Sequence, residues 1–383
     1  MIPTTSHCYN LQSNAAYPFV AEPPEALQGA LAHDTPSTGQ YGSIIALGNF
    51  DGVHLGHQAI LNHTVGWAAK VNATPCVFSF ANHPKQVLRP DSPFLQLGSF
   101  NERLLRLQQH GMAWACCPTF NADWANLTPD AFVQDVLIGT YHARAIVVGY
   151  DFCFGKNRQG SAEWLQANAE RLGIAVHVHP PVQLPKVIDN DPTDDENTLQ
   201  SVSSSGVREM LLNLGDVETA TRWLGRGFGT VGTVEQGFQR GRTVGFPTAN
   251  LRLHDASVLL PKQGVYAAWV VEKALHSVPR LAMVNIGTSP TYEGGTPTPR
   301  IEAHVLDASP EWNVYGQPLA LVWLARLREE QTFESVRALV AQLERDKATV
   351  QGLSASLPPL PHAEQQLLKQ ELKHGICRQF LLN

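Results

Sequence analysis

The run Gly48-Asn49-Phe50-Asp51-Gly52-Val53-His54-Leu55-Gly56-His57 stands between a short apolar run, Ser43–Leu47, and a helical pattern, His57–Val71. Strand, glycine-rich turn and helix start, in that order, make a receiver for phosphate. The first N–H groups of a helix have no internal partner, and the helix dipole adds positive potential. His54 and His57 are spaced i, i+3, so both rings can face one ligand from the first turn. Gly56 between them leaves room for a phosphate to approach closely. Gly48, Asn49, Phe50, Asp51 and Gly52 form the turn itself and are expected to line the nucleotide phosphates. Other phosphate and metal motifs fail here. There is no H-E-x-x-H, and no G-x-G-x-x-G. The stretch from Gly149 to Gly155-Lys156 has one residue too many for a P-loop and carries Asn157 where Ser or Thr belongs.

Outward from this run, strand-like segments (Thr74–Phe80, Ala113–Thr119, Arg144–Gly149, Ile174–His179) alternate with helical patterns (Asn101–Gly111, Pro129–Tyr141, Ala162–Leu172). Gly111 is a favourable helix terminator. The alternation predicts an α/β doubly wound parallel sheet over residues 41–200, with its ligand at the C-terminal strand ends near the topological switch point. A helical connector, 201–225, holds the patterns Gly206–Leu214 and Val217–Leu224. Residues 226–325 are dense in Gly and β-branched residues, which predicts a β-barrel or sandwich. Phe333–Glu344 reads as a closing helix, so that this domain spans 226–350. Residues 1–40 lack apolar periodicity and read as a flexible leader. Residues 351–383 read as a tail with Pro358, Pro359, Pro361 and one helix-like segment. The acidic run Asp189–Asn197 reads as a solvated loop, with a metal site as the alternative.

Composition bounds the function. The 383 residues suit two or three domains, and the net charge of −6 gives no electrostatic footprint for nucleic acid or an anionic membrane. With 43% hydrophobic residues the chain can bury a sizeable core, which excludes global disorder. No apolar run is long enough for a membrane span, and the first residues do not resemble a secretory signal. The six cysteines include no C-x-x-C, so a reduced, cytoplasmic setting is expected.

A second cluster lies in Phe246-Pro247-Thr248-Ala249-Asn250. In an extended segment Thr248 and Asn250 share a face, and their neutral oxygens suit Mg²⁺ held chiefly by nucleotide phosphates. Glu302 lies in a strand-like run, Arg300–Val305, where a carboxylate aimed into a pocket can take a proton from a hydroxyl; an exposed strand Glu is the plainer alternative.

The H-x-G-H block resembles the H-x-G-H nucleotidyltransferases. Followed by FANHP (Phe80–Pro84), GYDFCFG (Gly149–Gly155) and SSSGVR (Ser203–Arg208), it is similar to the FAD synthetase half of bifunctional riboflavin kinase/FAD synthetases. GRTVGFPTAN (Gly241–Asn250), NIGTSPT (Asn285–Thr291) and IEAHVLD (Ile301–Asp307) resemble the riboflavin kinase module of the same family. The resemblance covers about residues 41–350 and implies a Rossmann-like domain followed by a kinase barrel. It implies phosphorylation of riboflavin by ATP to FMN in the barrel, and adenylylation of FMN by ATP to FAD, with release of pyrophosphate, in the sheet domain. Mg²⁺ would serve both reactions.

By the same resemblance His54 and His57 hold the triphosphate, Ser203, Ser204, Ser205 and Arg208 grip phosphates, and Asn82 lies on the substrate side. Helix capping is the plainer reading of the serines. Thr248 and Asn250 would hold the metal, and Glu302 would activate the terminal ribityl hydroxyl. Gly241 and Gly245 let a loop close over nucleotide phosphates, or make a plain turn. Asp151 is either a ligand near flavin or nucleotide or a turn residue, and Arg328 is either a flavin- or phosphate-side residue or an ordinary helix-edge arginine. The sequence departs from the family at Ala81-Asn82, where an acidic residue followed by Pro is usual, and at Ser205, where Thr is usual. Two rival functions remain: a nucleotidyltransferase for another phosphorylated substrate, and a flavin-binding regulator with degenerate sites.

Overall fold

Alternation along β3 (Tyr41–Leu47) shows how the first unit is layered. Ile45 and Leu47 are buried in one apolar cluster and Ile44 and Ala46 in another, so both faces of the strand are covered. That is the burial of a parallel sheet sandwiched between helices. The computed structural model describes residues 8–12, 19–21, 41–92, 94–185, 198–237, 240–274, 277–288, 299–309, 312–354 and 359–374. The chain divides into two units. One holds Met1–Gln96 with Phe100–Ser204, and the other holds Leu97–Ser99 with Ser205–Asn383.

In the first unit, β1 (Cys8–Asn10), β2 (Phe19–Ala21), β3, β4 (Ala73–Phe78), β5 (Trp114–Cys116), β6 (Ala143–Gly149) and β9 (Ala175–His179) form one sheet in the order β2-β1-β5-β4-β3-β6-β9. The five strands β5, β4, β3, β6 and β9 are mutually parallel. The first of them, β3, lies between β4 and β6, so the order reverses there. Such a reversal opens a crevice at the strands' C-terminal ends. β7 (Cys153–Phe154) and β8 (Gly160–Ser161) pair as a small ribbon.

Helix α1 (Leu55–Val71) follows β3, α2 (Pro84–Leu88) follows β4, and α3 (Phe100–Gln109) precedes β5. α1 and α3 pack Leu61, Ala68, Leu104 and Leu107 on one face. The other face carries α4 (Ala122–Asn126) through Trp124, α5 (Pro129–Ala131) with the Phe132 that follows it, and α6 (Ala162–Leu172) through Leu165. The helix expected over Pro129–Tyr141 starts at Pro129 but continues as π-helix over Phe132–Ile138. Gly139 permits this, since a Cβ there would lie 2.7 Å from the Asp135 carbonyl oxygen.

The leader expectation is corrected for part of its length. β1 pairs antiparallel with β5 and β2 with β1, and Cys8, Tyr9 and Leu11 are buried. The exposed edge of β5 offers unpaired backbone groups, and so short a strand gives little periodicity to read. The acidic run 189–197 lies outside the described residues. The strands on either side of it, β10 (Gln183–Pro185) and β11 (Leu199–Ser201), pair antiparallel.

The second unit takes up all but the first residue of α7 (Ser204–Glu209), a π-helical turn Met210–Leu214, and α8 (Val217–Leu224). A closed barrel follows, ordered β12-β13-β16-β15-β14-β17, from β12 (Phe228–Glu235), β13 (Ala249–Leu253), β14 (Gly264–Glu272), β15 (Arg280–Thr288), β16 (Pro299–Val305) and β17 (Pro318–Arg328). Phe228, Tyr266 and Trp323 are fully buried, and the Trp323 indole donates to Thr230 Oγ1 at 2.8 Å.

The closing helix, α10 (Val336–Ser354), runs well past Glu344 because Val350 and Leu353 continue its packing on Ala267 and Met283. The tail is also corrected in part. α11 (His362–His374) covers the barrel, with Leu360, Leu368 and Leu372 against Val271, Ala320 and Val322. Residues 355–358 and 375–383 lie outside the description.

Candidate active sites

Residues 48–57 leave β3 at the switch point, and residues 149–155 leave its neighbour β6. The first loop is tightly wound. Phe50, Gly52 and Val53 have φ of 50°, 77° and 40°. For the β-branched Val53 this is strained backbone, of a kind that costs about 1–3 kcal/mol and persists only where the surroundings impose it. Here they do: Phe50 and Val53 are buried, the Val53 N–H donates to the Phe50 carbonyl at 3.2 Å, and Gln58 Nε2 donates to the Val53 carbonyl at 2.9 Å.

His54 caps α1. Its Nδ1 accepts the His57 N–H at 3.3 Å, so a neutral His54 carries its proton on Nε2. The two imidazoles stack with centroids 3.7 Å apart, so the sequence spacing does bring them together. Gly56 serves this stack: a Cβ there would lie 3.2 Å from the His54 ring, so the space beside it is taken by imidazole. Side chains from elsewhere tie the loop down. Ser204 Oγ donates to the Asp51 carbonyl at 2.9 Å, and Ser79 Oγ to the Asn49 carbonyl at 3.2 Å.

In the barrel, register builds the second site. Glu302 of β16 is directly opposite Asn250 of β13 on one side and Asn285 of β15 on the other. Their flanking residues Ala249, Leu251, Ile301, Ala303, Val284 and Ile286 are buried in the barrel, so the three polar residues share the opposite face. Asn285 Nδ2 donates to Glu330 Oε1 at 2.8 Å, which extends the row. Glu302 Oε1 pairs with Arg300, and Oε2 has no partner among the described residues. His304, two residues further along β16, meets the Pro247 carbonyl oxygen through Nδ1 at 2.8 Å and so fixes the turn before Thr248. Burial holds the His304 pKa below the usual histidine value.

Gly241 is required by close approach, since a Cβ would lie 2.1 Å from the Phe246 carbonyl oxygen, and Gly245 by a φ of 84°. They form a turn from α9 (Arg240–Thr243) back onto Phe246, whose N–H donates to the Gly241 carbonyl at 2.8 Å.

The FAD synthetase family profile matches residues 37–188 and the Riboflavin kinase profile residues 224–353. The bifunctional riboflavin kinase/FMN adenylyltransferase of Bacillus subtilis (strain 168) is 33% identical over 307 residues, covering 80% of this chain and 90% of that protein. The chain belongs to the bifunctional riboflavin kinase/FMN adenylyltransferase family. The protein of that name from Escherichia coli (strain K12) is 32% identical over 83% of this chain and 94% of its own length. A crystal structure described as a macrolide-efflux protein from Streptococcus pneumoniae matches with a TM-score of 0.70 and 31% identity, over 83% of this chain and 95% of that one. Among the described residues no helix is long and apolar enough to cross a membrane.

Three candidate residues make contacts within the protein. The Asn82 amide is engaged on both sides. Nδ2 donates to the Phe120 carbonyl at 3.1 Å and Oδ1 accepts the Phe120 N–H at 2.7 Å, so it brackets two loops. Arg328 is an anchor: it forks onto Asp346 of α10 at 2.7 and 3.0 Å and tethers that helix to β17. Asp151 is exposed at a turn closed by the Phe152 N–H on the Gly149 carbonyl at 3.2 Å. The two units divide between Ser204 and Ser205, so Ser205 and Arg208 belong to the second unit. Of NIGTSPT, residues 289–291 lie outside the described residues.

The sequence reading did not single out Arg103, whose guanidinium donates to the Asn49, Phe80 and Ala81 carbonyls, or the pair Asn285–Glu330. The signal for Arg103 was a charged residue within the apolar pattern of FNERLLRLQQ. The signal for the pair was the Asn that opens NIGTSPT.

Proposed function

We propose that this chain makes FAD from riboflavin in two ATP-dependent steps, phosphorylating riboflavin to FMN in the barrel unit and adenylylating FMN in the α/β unit. The observation that carries this is the co-linear match of both family profiles on one chain whose relatives are covered over nine-tenths of their length.

In the first unit the FMN phosphate attacks the α-phosphate of ATP, and pyrophosphate leaves. No covalent enzyme intermediate is needed, so the protein's work is to align the reactants and absorb charge on the leaving group. The stacked His54 and His57, with the N–H groups that open α1, are the donors for that charge. Ser204 keeps the loop in place through Asp51, and Ser203 adds a phosphate contact.

In the second unit Glu302 receives the proton of the terminal ribityl hydroxyl through Oε2 while the γ-phosphate is transferred. Thr248 and Asn250 offer neutral oxygens beside it. Among the described residues no cluster of three or more His, Cys, Asp or Glu side chains is arranged to hold a metal. That donor set fits a Mg²⁺ ion carried chiefly by ATP phosphates. When bound, the ion supplies charge neutralisation at the transferred phosphoryl group. We place the enzyme in the cytoplasm.

The test incubates purified protein with riboflavin, ATP and Mg²⁺ and resolves the flavins by chromatography. FMN followed by FAD is expected. FAD from supplied FMN alone would remove the kinase, and no conversion at all would leave a flavin-binding regulator.

A further inference from the structure

We propose that Arg103, in α3, is a positioning residue for adenylyl transfer: its buried guanidinium sets the spacing and orientation of the two loops that leave β3 and β4. Arg103 is only 6% exposed. Nη1 donates to the Asn49 carbonyl at 2.8 Å, and Nη2 donates to the Phe80 carbonyl at 2.6 Å and the Ala81 carbonyl at 3.0 Å. One rigid, planar fork therefore holds the loop of the histidine motif and the loop of FANHP together. Among the described residues no carboxylate lies within ion-pair distance of it, although the charge of Asp51 favours its protonated form. Burying the cation is costly, and the cost is offset chiefly by charge-assisted hydrogen bonds to backbone oxygens.

The grip also aims peptide groups. A peptide is planar and trans, so its C=O and N–H point in opposite directions. With the Asn49 oxygen on Arg103, the Phe50 N–H points away from Arg103. With the Ala81 oxygen on Arg103, so does the Asn82 N–H. Arg103 thereby sets the direction of one backbone donor on each loop, the group type that receives phosphate oxygens at strand-end turns. The Ala81 N–H, behind the Phe80 carbonyl, is taken by the Pro118 carbonyl at 3.0 Å, which fixes the second loop from its other side.

This inference rests on the proposed adenylyl transfer. The experiment compares Arg103→Lys and Arg103→Met with the unaltered full-length protein, varying ATP and FMN, and measures riboflavin phosphorylation in the same preparations. Lysine keeps the charge but is a point donor that cannot span both loops. Arg103→Lys should raise KM for ATP about tenfold and lower kcat/KM for FAD formation by about 10²-fold, the scale of a small misplacement of reacting groups. Arg103→Met should lower it at least as far. Riboflavin phosphorylation should stay within about twofold, as expected for an independent site in the other unit. An unaltered protein that makes no FAD would sink the functional reading and this inference with it. If the unaltered protein makes FAD, normal constants in Arg103→Lys overturn the role of Arg103 alone. So does a lower kcat at unchanged KM, because that is the mark of a smaller folded fraction and not of misplaced loops.

Discussion

In the α/β unit the groups proposed to act on phosphate sit on loops beyond the strand ends, and their geometry is imposed from behind. Phe50 and Val53 are held in left-handed backbone by burial, and the carbonyls of Asn49, Phe80 and Ala81 are pinned by Arg103. In the barrel unit the corresponding groups sit within the strands. Asn250, Glu302 and Asn285 are neighbours because register makes them so, and the ladder's own hydrogen bonds keep them there. A loop site needs dedicated side chains to brace it, whereas a strand site inherits its bracing from the sheet. The α/β site should therefore be sensitive to residues that never touch substrate. The barrel site should be sensitive mainly to the acting residue and to whatever keeps the barrel closed.

The largest effect expected is at Glu302. Glu302→Gln keeps the shape and removes the base, so riboflavin phosphorylation should fall by about 10²–10⁴-fold, while conversion of supplied FMN to FAD continues. Steady-state rates on riboflavin and on FMN, measured separately, check it. Near-normal riboflavin turnover would mean that the strand row does not supply the base.

Next is the brace of the barrel. Asp346→Ala leaves the mostly buried Arg328 without its partner, and breaking such a pair costs about 3–5 kcal/mol. Denaturant unfolding should show a transition of the second unit weakened by about that amount, with FAD formation from FMN still measurable below it. An unchanged transition would show that α10 is held by its apolar packing alone.

His57→Ala removes one donor to developing charge and should lower FAD formation by about 10²–10³-fold, with FMN accumulating from riboflavin. Equal loss of both activities in folded protein would break the assignment of one reaction to each unit.

The smallest effect is a pH dependence confined to the first unit. His63 of α1 and His177 of β9 stack with centroids 3.7 Å apart. Burial, then the charges of His177, His179 and Lys70, hold the His63 pKa below the usual value; burial, then His179, does the same for His177. The unfolded chain therefore takes up protons first as the pH falls through the ordinary histidine range near 6.5. Stability contributed here is present above that range. It is lost as the pH falls from there toward the depressed folded values. The melting temperature should fall between pH 7.5 and 5.5, and less so in His177→Gln. The same fall in both proteins would place the dependence elsewhere.

What could be read along the chain was local. The alternation of apolar runs predicted where each parallel strand lies, although Ala113–Thr119 shrank to Trp114–Cys116, and α6 came out as Ala162–Leu172 with Gly173 as its left-handed cap. The H-x-G-H spacing carried its own geometry, because i and i+3 on a first helical turn must meet. The barrel motifs were recognisable for the same reason, since period-two alternation puts Thr248 and Asn250 on one side.

Tertiary structure alone decided which side chains brace and which act. Asn82 finds Phe120, 38 residues on, and Arg103 finds Asn49, 54 residues back. Arg328 finds Asp346 across the join between a strand and a helix. No local period encodes such pairs. They arise when burial strips water from a polar group, and the group must then take whichever partner the fold has brought within reach.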